Sequence, residues 1–281
     1  MRGNIPVSVI IHTLNEELNI ANALENVLNW ANQVIVVDSD STDNTQSIAK
    51  KYDVDIISRP CSRAGLVDQR NWALDTINFK NKWVFILDAD EIIDNFLKKE
   101  VEQIVYENNL LIHGYSARSK MIFMGKWVKR NSHYPTWVMR LFQHKLLRYE
   151  KREANAGMIL DSKKHGYLKG HTENNDSKGF DAYLDRMKDF STLEAKALIN
   201  SKRNKEAVNS QITPNFFGSP NERRRFLKNI FVSLPFKPLI VFIYLYFFRL
   251  GFLEGRVGFH YAFYKSVLEW SIIIKTNELD V

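Results

Sequence analysis

Residues 1–110 of this chain repeat one pattern four times: a short apolar run, a polar residue at its end, then a segment with helical spacing. The runs Val7 to Ile11, Val34 to Val37, Val54 to Ser58 and Trp83 to Asp88 read as strands, and the last, too short for a helix and rich in bulky side chains, as a buried one. After the first, Leu18, Ala21, Leu24, Val27, Leu28 and Ala31 fall at three- and four-residue steps, which predicts a helix to about Ala31 with one packing face. Thr13-x-x-Glu16 has the spacing of a helix capping box. Further helices are expected up to about Tyr52, over Gly65 to Ile77 and over Ile93 to Tyr106, and a strand over His113 to Met124. Strict alternation of strand and helix predicts an α/β fold, a mostly parallel sheet with helices on both faces.

Such a sheet binds ligands beyond the carboxyl ends of its strands. Strand one delivers Thr13, Asn15 and Glu16 there, strand two Asp38 and Ser39, strand three Arg59, and strand four Asp88 and Asp90. Two carboxylates one residue apart can share a hard divalent cation, with water and a ligand's phosphate oxygens filling its other positions. The plainer alternative for Asp88 and Asp90 is a polar turn that caps the next helix, and for Asp38 a helix-capping carboxylate. If Asp38 takes a ribose or base, the Asp88–Asp90 metal is left to hold a diphosphate. No Gly-x-Gly-x-x-Gly follows strand one and no Gly-x-x-x-x-Gly-Lys-Ser/Thr occurs, which removes the main support for dinucleotide and P-loop sites.

The 281 residues carry a formal charge of +7 and a pI near 9.3, an attraction to polyanions that nucleic acid, anionic lipid or phosphorylated substrates would all satisfy. A hydrophobic share of 45% with 25% charged residues predicts a globular chain. The single cysteine, Cys61, allows no internal disulfide and suits a reducing compartment. Met1 to Pro6 leads directly into a strand without an apolar signal region, so a cytoplasmic location is expected.

Four segments carry a resemblance: Ser8-Val-Ile-Ile-His-Thr-Leu-Asn-Glu-Glu, Val36-Val-Asp-Ser-Asp-Ser-Thr-Asp-Asn-Thr, Gln69-Arg-Asn-Trp-Ala and Leu87-Asp-Ala-Asp-Glu. In their order and spacing they resemble the successive motifs of glycosyltransferase family 2. The resemblance implies a GT-A fold, a nucleotide-diphospho-sugar donor (commonly a UDP-sugar), Mg²⁺ or Mn²⁺, and transfer with inversion. It places uracil or ribose near Thr13, Glu16 and Asp38, the metal at Asp90, Asp88 toward the ribose and metal, and Arg70 beside the donor. Tyr134 to Phe142, Leu168 and Tyr183 to Ala195 resemble a bacterial branch that builds lipopolysaccharide cores and exopolysaccharides, in which Trp137 and Arg140 would lie near the donor sugar or acceptor. Relatives in that branch carry a His-Glu pair soon after an Arg-Glu like Arg152-Glu153, where this chain has Asn155-Ala156. They also carry a histidine just before an acidic residue like Asp176, where this chain has Asn174 and Asn175. The general base is therefore assigned to Glu153, the carboxylate nearest the missing pair, with Asp176 and Glu173 next.

Pro214, Gly218 and Pro220 mark a break, so residues 1–210 are expected to form the catalytic domain, 1–110 its nucleotide-sugar half and 111–210 its acceptor half. Residues 211–281 form a basic, aromatic helical segment with Arg223, Arg224 and Arg225 near its start. The apolar run Leu239 to Phe248 is too short to span a bilayer, and with Phe259 to Ile274 it suits in-plane docking on an anionic surface; burial as a helical cap is the alternative. The expected protein is a glycosyltransferase peripheral on the cytoplasmic face of the inner membrane, acting on a glycolipid or lipid-linked saccharide, with no nucleic-acid partner. Its rivals are a non-catalytic nucleotide-sugar-binding member, a basic nucleic-acid-binding module for which charge alone speaks, and a nucleotidyltransferase, whose glycine-rich loop is missing.

Overall fold

The computed structural model describes residues 3–61, 65–107, 111–132, 134–150, 157–160, 164–203, 215–218, 222–223 and 236–280. In chain order the elements are β1 (Ile5–Thr13), α1 (Ile20–Leu28), β2 (Ala31–Asp38), α2 (Thr45–Ala49), β3 (Asp55–Ser58), α3 (Leu66–Thr76), β4 (Trp83–Asp88), β5 (Glu91–Ile93) and α4 (Asn95–Glu107). They continue with β6 (Gly114–Phe123), β7 (Lys126–Trp127), β8 (Thr136–Gln143), β9 (Leu147–Tyr149), β10 (Met158–Leu160), β11 (His165–Asn174), α5 (Gly179–Arg203), α6 (Lys237–Ile243) and α7 (Gly255–Leu279). Two compact units emerge, one of residues 1–125, 135–149 and 158–178, the other of 126–134, 150–157 and 179–281. The break expected near residue 211 lies outside the described residues, as do Arg152, Glu153, Asn155, Ala156, Arg224 and Arg225.

In the first unit a mostly parallel mixed sheet runs β3-β2-β1-β4-β8-β6-β11-β5. Strands β3, β2, β1 and β4 are parallel, β8 is antiparallel to β4 and β6, β11 is parallel to β6, and β5 is antiparallel to β11. Side chains alternate across the pleat. Val9, Ile11, Val36, Phe85, Leu87 and Leu141 pack with α1 and α4 on one face, while Ile10, Ile35, Val84, Ile86 and Phe142 meet Ala73 and Leu74 of α3 on the other.

The start of α1 differs from the sequence expectation. Its buried stripe is Ile20, Ala23, Leu24 and Val27; Leu18 precedes the helix and is 57% exposed, and Ala31 already opens β2. Thr13 and Glu16 do not form a capping box, because Thr13 is the last residue of β1 and its hydroxyl goes to Asp38 Oδ1 at 2.7 Å. A turn separates strand from helix, closed by the Asn19 and Ile20 N–H groups on the Glu16 carbonyl at 2.9 Å each.

The second unit is helical at its C-terminal end. A π-helical turn (Tyr244–Phe248) and a 3₁₀ turn (Gly251–Glu254) join α6 to α7. Lys275 Nζ donates to the Lys188 carbonyl (2.6 Å), Ser191 Oγ and Thr192 Oγ1 (2.8 Å each), fastening α7 to α5. Lys237 pairs with Glu269 at 2.6 Å and fastens α6 to α7. A Cβ on Gly258 would stand 2.0 Å from the Gly251 carbonyl oxygen, so only glycine permits this approach. Helix α7 is longer than the Phe259 to Ile274 segment expected, because its buried positions recur from Val257 through Tyr261, Leu268 and Ile272 to Thr276. Among the described residues no single helix is long and apolar enough to cross a membrane; Lys237–Phe248 and Gly251–Leu279 pass that test only as a pair, bent by 69°.

Candidate active site

The ends of β1 and β2 are tied into one rim. Asp38 is fully buried, and each of its carboxylate oxygens takes two donors: Thr13 Oγ1 (2.7 Å) and Ser41 Oγ (2.6 Å) on Oδ1, Ser41 N (2.8 Å) and Gln46 Nε2 (2.7 Å) on Oδ2. Its acceptor capacity is thus spent on holding the β2–α2 loop, and a ribose or base reaching it must displace one of these donors. Asn15, in the left-handed region at φ 56°, accepts from Thr42 N at 2.8 Å and donates its own N–H to Ser41 Oγ at 2.8 Å. Ser39 Oγ donates to Gln69 Oε1 (2.9 Å), and Gln69 Nε2 to the Arg59 carbonyl (3.1 Å), which brings the end of β3 into the same rim. Arg59 itself lies over the Trp72 ring at 4.7 Å.

Beside this rim the end of β4 carries a charged cluster. Asp88 Oδ1 accepts from Arg70 Nη2 at 3.0 Å, and its Oδ2 lies 3.5 Å from Arg140 Nη1. Pairing of β4 with β8 runs from Trp83 to Phe85, and beyond it Arg140 Nη1 donates to the Ile86 carbonyl at 3.3 Å. Arg140 is 3% exposed and places its other guanidinium nitrogen 2.5 Å from Glu91, a carboxylate only 2% exposed that also accepts from Thr172 Oγ1 at 3.3 Å. Burial would raise the Asp88 carboxyl, but Arg70, then Arg140, hold it below its ordinary value. Burial pushes Glu91 up to about 7, with Arg140 pulling against it and Asp88 and Asp90 reinforcing it. His12 lies opposite Asp88 in the β1–β4 register, and burial, reinforced by Arg70, drops its pKa to about 3, so its ring is neutral at pH 7. Burial lifts the Tyr149 phenol, whose ring lies 5.3 Å under the Arg70 guanidinium, to about 12.

The structure gathers Thr13, Asn15, Glu16, Asp38, Ser39, Arg59, Arg70, Asp88 and Asp90 at the carboxyl ends of β1 to β4 and on the adjoining helix α3. Asp176 joins the Glu16 loop: its Oδ1 accepts from Asn19 Nδ2 (2.8 Å) and Lys178 N (2.9 Å), and Lys178 Nζ pairs with Glu16 at 2.6 Å. Glu173 is paired with Lys120 on β6. Arg140, expected near the donor sugar or acceptor, is buried at the end of β4, where it pairs with Glu91 and reaches Asp88. Sequence reasoning gave no role to Glu91, Gln69 or His12. Glu91 directly follows Asp88-Ala-Asp90, and His12 interrupts an apolar strand, which are the signals that could have marked them.

A divalent cation fits this site only in part. Among the described residues no group of three or more His, Cys, Asp or Glu side chains is placed to cage a metal. Asp88 and Asp90 supply two carboxylates, the number a hard cation uses when substrate phosphates and water complete its shell. The donor set suits an ion that arrives with a diphosphate.

The Glycosyl transferase family 2 profile matches residues 8–161, more than half of the chain, and the chain belongs to that family. An uncharacterised glycosyltransferase of Rickettsia conorii is 38% identical over 103 residues, which are 37% of this chain and 35% of that protein, so the chain matches about a third of that relative's length. The lipopolysaccharide core biosynthesis glycosyltransferase LpsC of Rhizobium meliloti is 23% identical over 276 residues, 94% of this chain and 91% of that one. Among solved structures, mannosyltransferase PcManGT of Pyrobaculum calidifontis with GDP-Man and Mn²⁺ aligns over 96% of this chain and 86% of its own at 16% identity and a TM-score of 0.48. S. aureus TarS 1-349 with UDP-GlcNAc aligns over 95% and 90% at 16% identity and a TM-score of 0.44.

Proposed function

We propose that the protein transfers a sugar, with inversion, from a nucleotide-diphospho-sugar to a glycolipid or lipid-linked saccharide of the cell surface. The observation that carries this reading is the end of β4, where Asp88 pairs with Arg70 and Asp90 follows two positions on, within a family 2 chain. Arg70, 27% exposed at its side chain and opposed by Asp88, is available to exchange that carboxylate for a donor phosphate, which carries more charge. Asp90 and Asp88 would hold Mg²⁺ or Mn²⁺, which supplies charge neutralisation to the departing diphosphate. The β2–α2 loop, fixed by Asp38, gives the nucleoside a preformed edge, so little ordering is needed on binding. A carboxylate accepts the acceptor's hydroxyl proton; Glu153 and Asp176 are the assigned candidates.

The acceptor class is supported by the likeness to LpsC over nearly the whole chain. A membrane-held acceptor agrees with the second unit's surface, where Phe236, Phe247, Phe248, Phe263 and Trp270 are all more than half exposed. Arg249, Arg256 and Lys265 lie among them in the sequence, and this combination favours docking on an anionic leaflet at the cytoplasmic face. Incubating the full chain and native membranes with radiolabelled UDP- and GDP-sugars tests the reading. Label should enter the butanol-soluble glycolipid fraction from one donor and only with Mg²⁺ or Mn²⁺, whereas release of free sugar without any labelled lipid would reject a glycolipid acceptor.

A further inference from the structure

Between β8 and β11, strand β6 places a row of side chains on the sheet face opposite Tyr115 and Ala117, which belong to the apolar core. In register, Arg118 lies between Trp137 on β8 and His171 on β11. Cross-strand partners share a face, so Arg118, Trp137 and His171 fall in one row across the three strands. Trp137 meets Tyr167 edge-on at 4.9 Å between ring centroids, and Tyr167 is 48% exposed. The nearby carboxylates are already committed: Glu173 pairs with Lys120, and Asp94 lies 3.0 Å from His171 Nδ1. Arg118 Nε is buried without a hydrogen-bond partner among the described residues, and none of their carboxylates pairs with its guanidinium.

An arginine on an interior strand is costly when it is partly buried, and with no counter-charge for Arg118 among the described residues its presence points to a ligand that supplies one. We propose that this face binds an anionic sugar of the acceptor, with its carboxylate or phosphate on Arg118 and its ring against Trp137 and Tyr167. The inference rests on the transferase reading above and names the acceptor's charge class. A planar guanidinium matches either oxyanion with two parallel hydrogen bonds. The aromatic pair offers apolar surface to the C–H face of a pyranose.

Ligand-observed NMR titrations of the full chain, with UDP and Mn²⁺ present to occupy the donor side, test this with glucuronate, glucose 6-phosphate and glucose as probes. At least one of the two anionic sugars should bind tenfold or more tightly than glucose, and which of them does so separates carboxylate from phosphate recognition. Arg118→Gln should reduce that preference to near unity while leaving UDP affinity, read by calorimetry, unchanged; Arg118→Lys should restore part of it. The melting temperature of Arg118→Gln should hold or rise, because an uncompensated charge is removed. Equal binding of all three sugars, or a preference that survives Arg118→Gln, overturns the proposal. A lower melting temperature in Arg118→Gln with the preference intact also overturns it and makes the arginine structural. Absence of UDP binding would count against the donor reading alone, since the sugar preference is measured independently of it.

Discussion

Arg140 and Glu91 form a buried ion pair at 2.5 Å under the end of β4, where the ladder to β8 has stopped. The arginine replaces a strand partner at the Ile86 carbonyl, and the same guanidinium reaches Asp88, so one side chain sets both the splay of the sheet and the position of the first aspartate.

Removing one member of such a pair leaves the other charge buried and uncompensated. Arg140→Met should cost roughly 3 kcal/mol or more of unfolding free energy near pH 9, where the Glu91 carboxyl is ionised in the parent chain. With the arginine gone the Glu91 carboxyl titrates still higher, so it keeps its proton at neutral and acid pH, and the loss should be smaller at pH 7 and below than at pH 9. The double variant Arg140→Met with Glu91→Leu should recover most of the stability. Urea melts of the three proteins check this, and a double variant no more stable than Arg140→Met would show that the two residues do not act as a pair.

At the Asp88–Asp90 pair, Asp90→Asn should abolish the Mn²⁺-dependent part of nucleotide binding, because an amide keeps the shape and loses the charge a hard cation needs. Asp88→Asn should weaken it as well, and also loosen Arg70, whose 3.0 Å partner it removes. Calorimetry with UDP, with and without Mn²⁺, separates the two; unchanged metal dependence in Asp90→Asn would remove that residue from the metal site.

His12 gives a pH dependence with a defined sign. Its folded pKa of about 3 lies below the ordinary 6.5, so the unfolded chain binds the proton more readily across that interval. Stability from this residue is complete above about 6.5 and falls as the pH drops, by roughly 1.4 kcal/mol per unit. His12→Gln should show a shallower decline between pH 6.5 and 4 than the parent chain; identical slopes would contradict the buried neutral imidazole.

Strands β1 to β4 were legible because each is an apolar run ending in a polar residue, as Trp83 to Asp88 is, whereas β8 and β11 carry mixed polar and apolar residues and were not read as strands. The aspartates were read from their places at strand ends and Arg70 from motif order, which single residues do not carry. What sequence could not show was commitment. The four donors on Asp38, and the burial of an Arg140 that the resemblance places near the donor sugar or acceptor, are visible only in the fold. Thr13 and Glu16 have the spacing of a capping box, yet the turn before Ile20 sends the threonine hydroxyl across to β2. Arg118 was passed over because a lone arginine in a strand has no local signature; its lack of a hydrogen-bond partner at Nε among the described residues is a tertiary fact.

The aromatic surface of the second unit should bind anionic vesicles reversibly. Burial of an exposed phenylalanine ring contributes about 2 kcal/mol at most. Replacing Phe236, Phe247 and Phe248 together with serine should therefore weaken flotation of the full chain with anionic liposomes at least tenfold, without lowering its melting temperature. High salt should release part of the unmodified protein. If the unmodified chain fails to float with such vesicles at low salt, docking through this surface is wrong.

The most direct test of the central claim is the melting temperature of the full chain against a panel of nucleotide-sugars, each with and without Mn²⁺. A donor at about a hundredfold excess over its Kd stabilises by about 2.7 kcal/mol, a shift of several degrees for a protein of this size. At least one UDP- or GDP-sugar should produce that shift in the presence of Mn²⁺ and a smaller one in its absence. If no nucleotide-sugar moves the transition under either condition, the chain does not bind a donor and the account of its site is wrong.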